Sequence, residues 1–169
     1  MTYTSAQANK LLKKLNDEHA ALLDKENRSK DFRAAMGEDV ESVRPVYDYA
    51  DTQKKLAELE QRIRKVKHAI NVFNATHVIP DFGMTIDEML VYIPQLTQRK
   101  NKLADMKARL PKQRVEEQYG RQSNIIDYSY ANYDLTAVEA DYEKAADELS
   151  RAQLALDAVN QRDTFELVE

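Results

Sequence analysis

The sequence predicts a mainly α protein: four long antiparallel helices, arranged as helical hairpins or a bundle with coiled-coil seams, plus a small two-stranded β ribbon. Three observations predict it. Apolar residues recur at alternating spacings of three and four over long stretches, the period of a helix with one buried seam. Only three Gly and four Pro stand among 169 residues, too few for the turns of a β-sandwich or barrel. Thr followed three residues later by Gln or Glu opens several of the periodic stretches, as in a capping box. The length suits one domain, and a single helical domain spanning 1–169 is expected.

The first helix is expected over about 5–28. Thr4 with Gln7 caps it, and Ala8, Leu12, Leu15, His19 and Leu22 form its stripe. The second spans about 49–76 behind Asp48. Its seam of Leu56, Leu59, Ile63, Val66, Ile70 and Phe73 is an unbroken heptad pattern. At 1.5 Å per residue such a helix is ~40 Å long and needs a long partner. Ile79-Pro80-Asp81-Phe82-Gly83 reads as a turn. Thr85 with Glu88 then opens the third helix, about 86–110, striped by Ile86, Met89, Ile93, Leu96, Lys100, Leu103, Met106 and Leu110. Pro94 interrupts it and predicts a kink, and Pro111 is expected to end it. The fourth, about 136–162, opens on Thr136 with Glu139. It carries the longest heptad run: Leu135, Val138, Tyr142, Ala145, Leu149, Ala152, Leu156 and Val159.

Two intervals are not helical in pattern, and β segments are expected within 31–46 and 114–134. The second holds Ile126, Tyr128 and Tyr130 on one face at period two. Its strand is expected to pair with one in 31–46 and to bury that face against the helices or across a subunit contact, because a lone ribbon is marginal in water. On that expectation Tyr128→Ala would cost ~2–4 kcal/mol.

Charge is unevenly placed. Residues 1–53 carry a net −2, 54–121 a net +6 and 122–169 a net −8, for −4 in all. The basic middle, at 62–68 and 99–114, could bind nucleic acid, but a dedicated phosphate binder usually has a basic total. Pairing of the basic helices with the acidic last one accounts for the asymmetry more simply. Absence of Cys excludes disulfides, thiol catalysis and Cys-ligated metal, and fits a reducing compartment. Neither a signal peptide nor a run near the ~20 apolar residues of a membrane span is visible, so a cytoplasmic protein is expected.

Specific chemistry is hard to find. No Gly-rich phosphate loop, Gly-x-Ser-x-Gly elbow or His-Glu-x-x-His is present. His68 and His77 are nine apart, not the i, i+4 of a helical metal pair. Glu116-Glu117 could join one of them only in space, and His19 falls on the first stripe as a hydrogen-bonded side chain. Asn71, Asn74 and Thr76 could line a ligand site, but short polar side chains at a helix end more often satisfy its carbonyls. Tyr119, Tyr128, Tyr130 and Tyr133 near Arg114 and Arg121 suit a protein interface first and stacked nucleic acid last. No catalytic, metal or cofactor-binding residue is assigned, and no cofactor is expected.

Ile70-Asn71-Val72-Phe73-Asn74-Ala75-Thr76, then Gly83-Met84-Thr85-Ile86, resembles a bacterial family of unknown function, some members of which are labelled septicolysin. Ser123-Asn124-Ile125, the acidic last helix and Ala158-Val159-Asn160-Gln161 are similar too, so the resemblance covers roughly 50–165. It implies a bundle of α-helical hairpins with a small β ribbon and implies no established activity. Where that family carries an Arg-Arg-Asp stretch after its turn, this chain has Tyr92-Ile93-Pro94, so no role of those arginines passes to it. A thiol-activated cytolysin would need a Cys, a large β domain and a secretion signal, none of which is visible. The expected function is a non-enzymatic structural or protein-interaction role, as a homo-oligomer associating through the helical seams. The candidate interface residues are Ile126, Tyr128, Tyr130, Leu149 and Leu156. The alternative is a nucleic-acid-binding module using 62–68 and 99–114.

Overall fold

The computed structural model describes residues 1–115 and 126–167. The elements run β1 (Thr2–Thr4), α1 (Ser5–Ser29), α2 (Val40–Val43), α3 (Tyr49–Thr76), β2 (Val78–Ile79), β3 (Met84–Thr85), α4 (Ile86–Lys107), β4 (Lys112–Arg114), β5 (Tyr128–Tyr130), α5 (Leu135–Arg162) and β6 (Thr164–Glu166). The protein is mainly α with small two-stranded sheets. Where one domain was expected, the contacts group the chain into two compact units, 1–77 with 158–169, and 78–157. Each unit holds a hydrophobic cluster of its own.

In the first unit, α1 and α3 form an antiparallel hairpin. His19 Nε2 lies 3.3 Å from Glu60 Oε1, and further along α1 the Gln53 amide donates to Glu26 Oε1 at 2.7 Å. As α1 advances its partners on α3 recede, the signature of antiparallel helices. Thr4 Oγ1 accepts from Gln7 N, and Gln7 Oε1 accepts from Thr4 N, so the predicted capping box forms. Asp48 Oδ1 accepts from Asp51 N and caps α3. Ala8, Leu15, Val66 and Ile70 from the two stripes are buried together with Leu167. Leu167 reaches that core because β1 pairs antiparallel with β6, Tyr3 opposite Phe165, and Leu167 N donates to Met1 O at 2.9 Å.

No strand forms in 31–46, contrary to expectation. Local polar groups satisfy that backbone instead: Glu38 Oε2 accepts from Ala35 N, and Asp39 Oδ1 caps the short α2 by accepting from Glu41 N. Such side-chain bonds compete with a strand ladder. Gly37, at φ 87°, turns the chain in a way a side chain resists. Tyr47 ties the segment back, its hydroxyl donating to Glu26 at 2.6 Å. That bond, aided by partial burial, pushes the phenol up to about 12.

In the second unit, β2 and β3 pair antiparallel around a turn closed by Gly83 N donating to Ile79 O at 2.9 Å, with Gly83 at φ 62°. The Thr85–Glu88 capping box forms and lies at the start of α4, which runs on through Pro94. α4 ends at Lys107, earlier than Pro111 would impose, where the Tyr133 hydroxyl takes up Met106 O at 2.9 Å. α5 starts at Leu135 rather than Thr136. Asp134 Oδ1 accepts from Thr136 N, and Glu139 is not in a capping box but pairs with Lys107 Nζ at 3.0 Å. Lys107 also reaches Glu143 at 3.6 Å, so here the basic and acidic helices neutralise one another within the chain. Leu103, Val138 and Ala145 form the core cluster, with Met106, Tyr133 and Tyr142 against it. Among the described residues no helix is long and apolar enough to cross a membrane.

Candidate functional site

The β partner of the tyrosine segment is the stretch immediately after α4. β4 and β5 pair antiparallel, Lys112 opposite Tyr130, Gln113 opposite Ser129 and Arg114 opposite Tyr128. Val115 N donates to Asp127 O and Ala131 N to Pro111 O, extending the ladder at both ends. Sequence-local pairing closes a short loop and costs less entropy than a partner some 80 residues away.

Side chains opposite one another in a ladder share a face. Lys112, Arg114, Tyr128 and Tyr130 therefore lie on one face, and Gln113 and Ser129 on the other. The Lys112 ammonium sits 4.1 Å from the Tyr128 ring centroid and 5.5 Å from that of Tyr130, a double cation–π contact. The ribbon is not buried against the helices. Tyr128 is 46% exposed, Tyr130 62% and Ile126 55%, with Leu110 and Val115 also exposed beside them. This corrects the expected burial of Ile126, Tyr128 and Tyr130 against the helices, and no strand forms in 31–46 to pair with theirs. A hollow of about 280 Å³ lies at the ribbon's base, lined by Arg109, Gln113, Ser129, Tyr130 and Tyr133 among others.

The other candidate interface residues fare differently. Leu149 and Leu156 are buried, as are Val138, Ala145, Ala152 and Val159 of the same seam. The heptad run of α5 is thus consumed inside the chain and leaves no free seam, a correction for both residues. Tyr119 and Arg121, Glu116-Glu117 and Ser123-Asn124-Ile125 lie outside the described residues. Thr76 Oγ1 donates to Val72 O at 2.8 Å, while Asn71 is exposed and Asn74 half-buried. His68 is exposed on α3. Among the described residues no group of three or more His, Cys, Asp or Glu is arranged to hold a metal.

One constellation was not anticipated. His77, just past α3, lies 2.7 Å through Nε2 from Asp163 Oδ2, just past α5. Its ring stacks on Phe73 (4.6 Å between centroids), and Phe73 stacks on Phe165 (4.7 Å). The end of α5 carries Asp163, whose N–H donates to Val159 O, and the β1–β6 pairing holds Phe165; three-residue strands leave no periodic signal. Partial burial pushes the Asp163 carboxyl up. Hydrogen bonds from His77 and Arg162 outweigh it and hold the group below the usual carboxylate range. A depressed folded value means the carboxylate stabilises the fold above pH 3.8, and that the contribution is lost as pH falls through the folded value. Asp163→Asn is expected to lower the urea midpoint at pH 7 and to shrink the wild-type loss between pH 5 and 2. An unchanged acid profile would show the pair to be idle.

The chain is thereby defined as a mainly α protein of two units, each with capped helices and a small β ribbon. No family model and no curated protein matches its sequence. Among solved structures it is similar to a functionally unknown conserved protein from Corynebacterium diphtheriae, at 17% identity and a TM-score of 0.59, over 98% of this chain and 100% of that one. At that identity the likeness shows the fold alone.

Proposed function

We propose that this is a non-enzymatic, cytoplasmic protein-interaction protein that self-associates, with the β4–β5 ribbon as its contact surface. The observation that carries this reading is the exposure of Tyr128, Tyr130, Ile126, Leu110 and Val115 on and beside one short ribbon. Tyr and Arg are enriched at interface centres, and an exposed apolar cluster of this kind commonly marks a contact. The burial of the α5 seam moves the expected association away from the helices and onto the ribbon. Absence of Cys fits a reducing compartment.

Tyr128→Ala tests it. With Tyr128 half-exposed, the dilute variant is expected to lose under ~1 kcal/mol, the scale of an exposed cation–π contact, not the cost of a buried aromatic. At high concentration the wild-type melting temperature rises with concentration, as mass action requires, and the variant's does not. Equal melting of the two proteins at both concentrations would remove the ribbon from the contact.

A second reading is favoured by one observation: Lys112 and Arg114 share a face with Tyr128 and Tyr130, as a single-strand nucleic-acid platform requires. It expects binding of labelled oligonucleotides at low salt that falls steeply as salt rises. It ranks lower because Lys107 is paired with Glu139 and Glu143, Arg64 with Glu60, and the chain is net −4.

A further inference from the structure

The hydrogen-bond register decides which edge of the ribbon is available. Val115 pairs with Asp127 and Ala131 with Pro111 through main-chain bonds. By the alternation of an antiparallel ladder, Gln113 and Ser129 form the hydrogen-bonded pair between them, while Lys112–Tyr130 and Arg114–Tyr128 are non-hydrogen-bonded pairs. The N–H and C=O groups of those four residues therefore turn outward, to the two edges. Among the described residues no third strand joins either edge.

The edges differ in chemistry. The β4 edge is guarded by Lys112 and Arg114. Antiparallel pairing with its own copy would set Lys112 opposite Arg114, and like charges directly opposite are destabilising. Lysine on an edge strand is a common device against strand addition. The β5 edge is Tyr128-Ser129-Tyr130, without charge or proline. Resting on the self-association proposed above, we infer that two copies join β5 to β5 about a two-fold axis at Ser129. Tyr128 of each copy then exchanges main-chain hydrogen bonds with Tyr130 of the other, and the two Ser129 residues face one another as a non-hydrogen-bonded pair. The occupant is a second copy because this edge is complementary to itself. Two-fold pairing consumes both bare edges and leaves a four-stranded sheet that ends on the charged β4 edge at each side. The contact is isologous and closes at the dimer.

The chain has no cysteine, so a single introduced one reports cleanly. Non-hydrogen-bonded antiparallel pairs have Cα atoms about 4.5 Å apart, within reach of a disulfide. Under mild oxidation Ser129→Cys is expected to give mostly covalent dimer on a non-reducing gel. Gln113→Cys, on the same face but on the guarded strand and far from its copy across the two-fold axis, gives no covalent dimer on that gel. Ser129→Lys, which sets like charges opposite one another across the axis, is expected to weaken the dimer roughly fivefold in sedimentation. It leaves melting of the dilute protein unchanged. A wild type that sediments as a dimer while Ser129→Cys fails to cross-link would overturn this pairing and leave self-association standing. The contact would then lie elsewhere, as at the exposed Met36, Val40 and Val46. Equal cross-linking of both cysteine variants would reveal random collision and overturn it too. A wild type monomeric at every concentration would defeat the self-association reading itself.

Discussion

Phe73→Ala is expected to destabilise the protein by ~3–5 kcal/mol, the range for truncating a buried aromatic. Phe73 is 8% exposed and is the middle ring of three, between His77 and Phe165. Its loss removes the transfer energy of the ring and two stacked contacts, each worth ~0.5–1.5 kcal/mol in comparable pairs. It also frees the end of α3 from β6, so the His77–Asp163 pair loses its support. For a chain of this size the melting temperature should drop by ~10 °C. Far-UV circular dichroism is the suitable probe, since there is no Trp to follow by fluorescence. A drop of only one or two degrees would mean that the ring stack is peripheral and that β1–β6 is held by its backbone bonds alone.

Leu15→Ala is expected to cost ~2–5 kcal/mol, the spread reflecting how far the site can collapse around the missing atoms. Leu15 is 2% exposed and lies in one cluster with Ala8, Val66, Ile70 and Leu167. Hydrogen exchange should show the loss of protection first in α1 and α3. A urea midpoint equal to that of wild type would contradict the assignment of this hairpin as the centre of the first unit.

Much of the helical architecture is legible in the residues. Thr4 with Gln7, Asp48, and Thr85 with Glu88 each cap a helix where the sequence places them, because a cap is a local interaction within four residues. Most residues of the heptad runs of α3 and α5 are buried, so the stripes do mark the inward faces of their helices. Periodicity says that a helix face must be covered, not whether the cover comes from the same chain, and for Leu149 and Leu156 it does. Thr136 with Glu139 failed as a cap because Asp134 is a competing acceptor and Lys107 claims Glu139 from another helix. Strands of two or three residues carry almost no pattern, so β1, β6 and the partner of β5 were not readable. The tyrosines were rightly placed on one face of a strand, but exposure depends on what lies opposite. The Glu38 and Asp39 side chains turned 31–46 into a capped loop, not the expected cover.

Sedimentation equilibrium of the unmodified protein from micromolar to several hundred micromolar is the most direct test of the proposed self-association. The average mass is predicted to rise from 19.5 kDa towards twice that value and to stop there, as a two-fold contact that closes on itself requires. A single 19.5 kDa species over the whole range would contradict it, and the exposed ribbon would then have to serve a different partner.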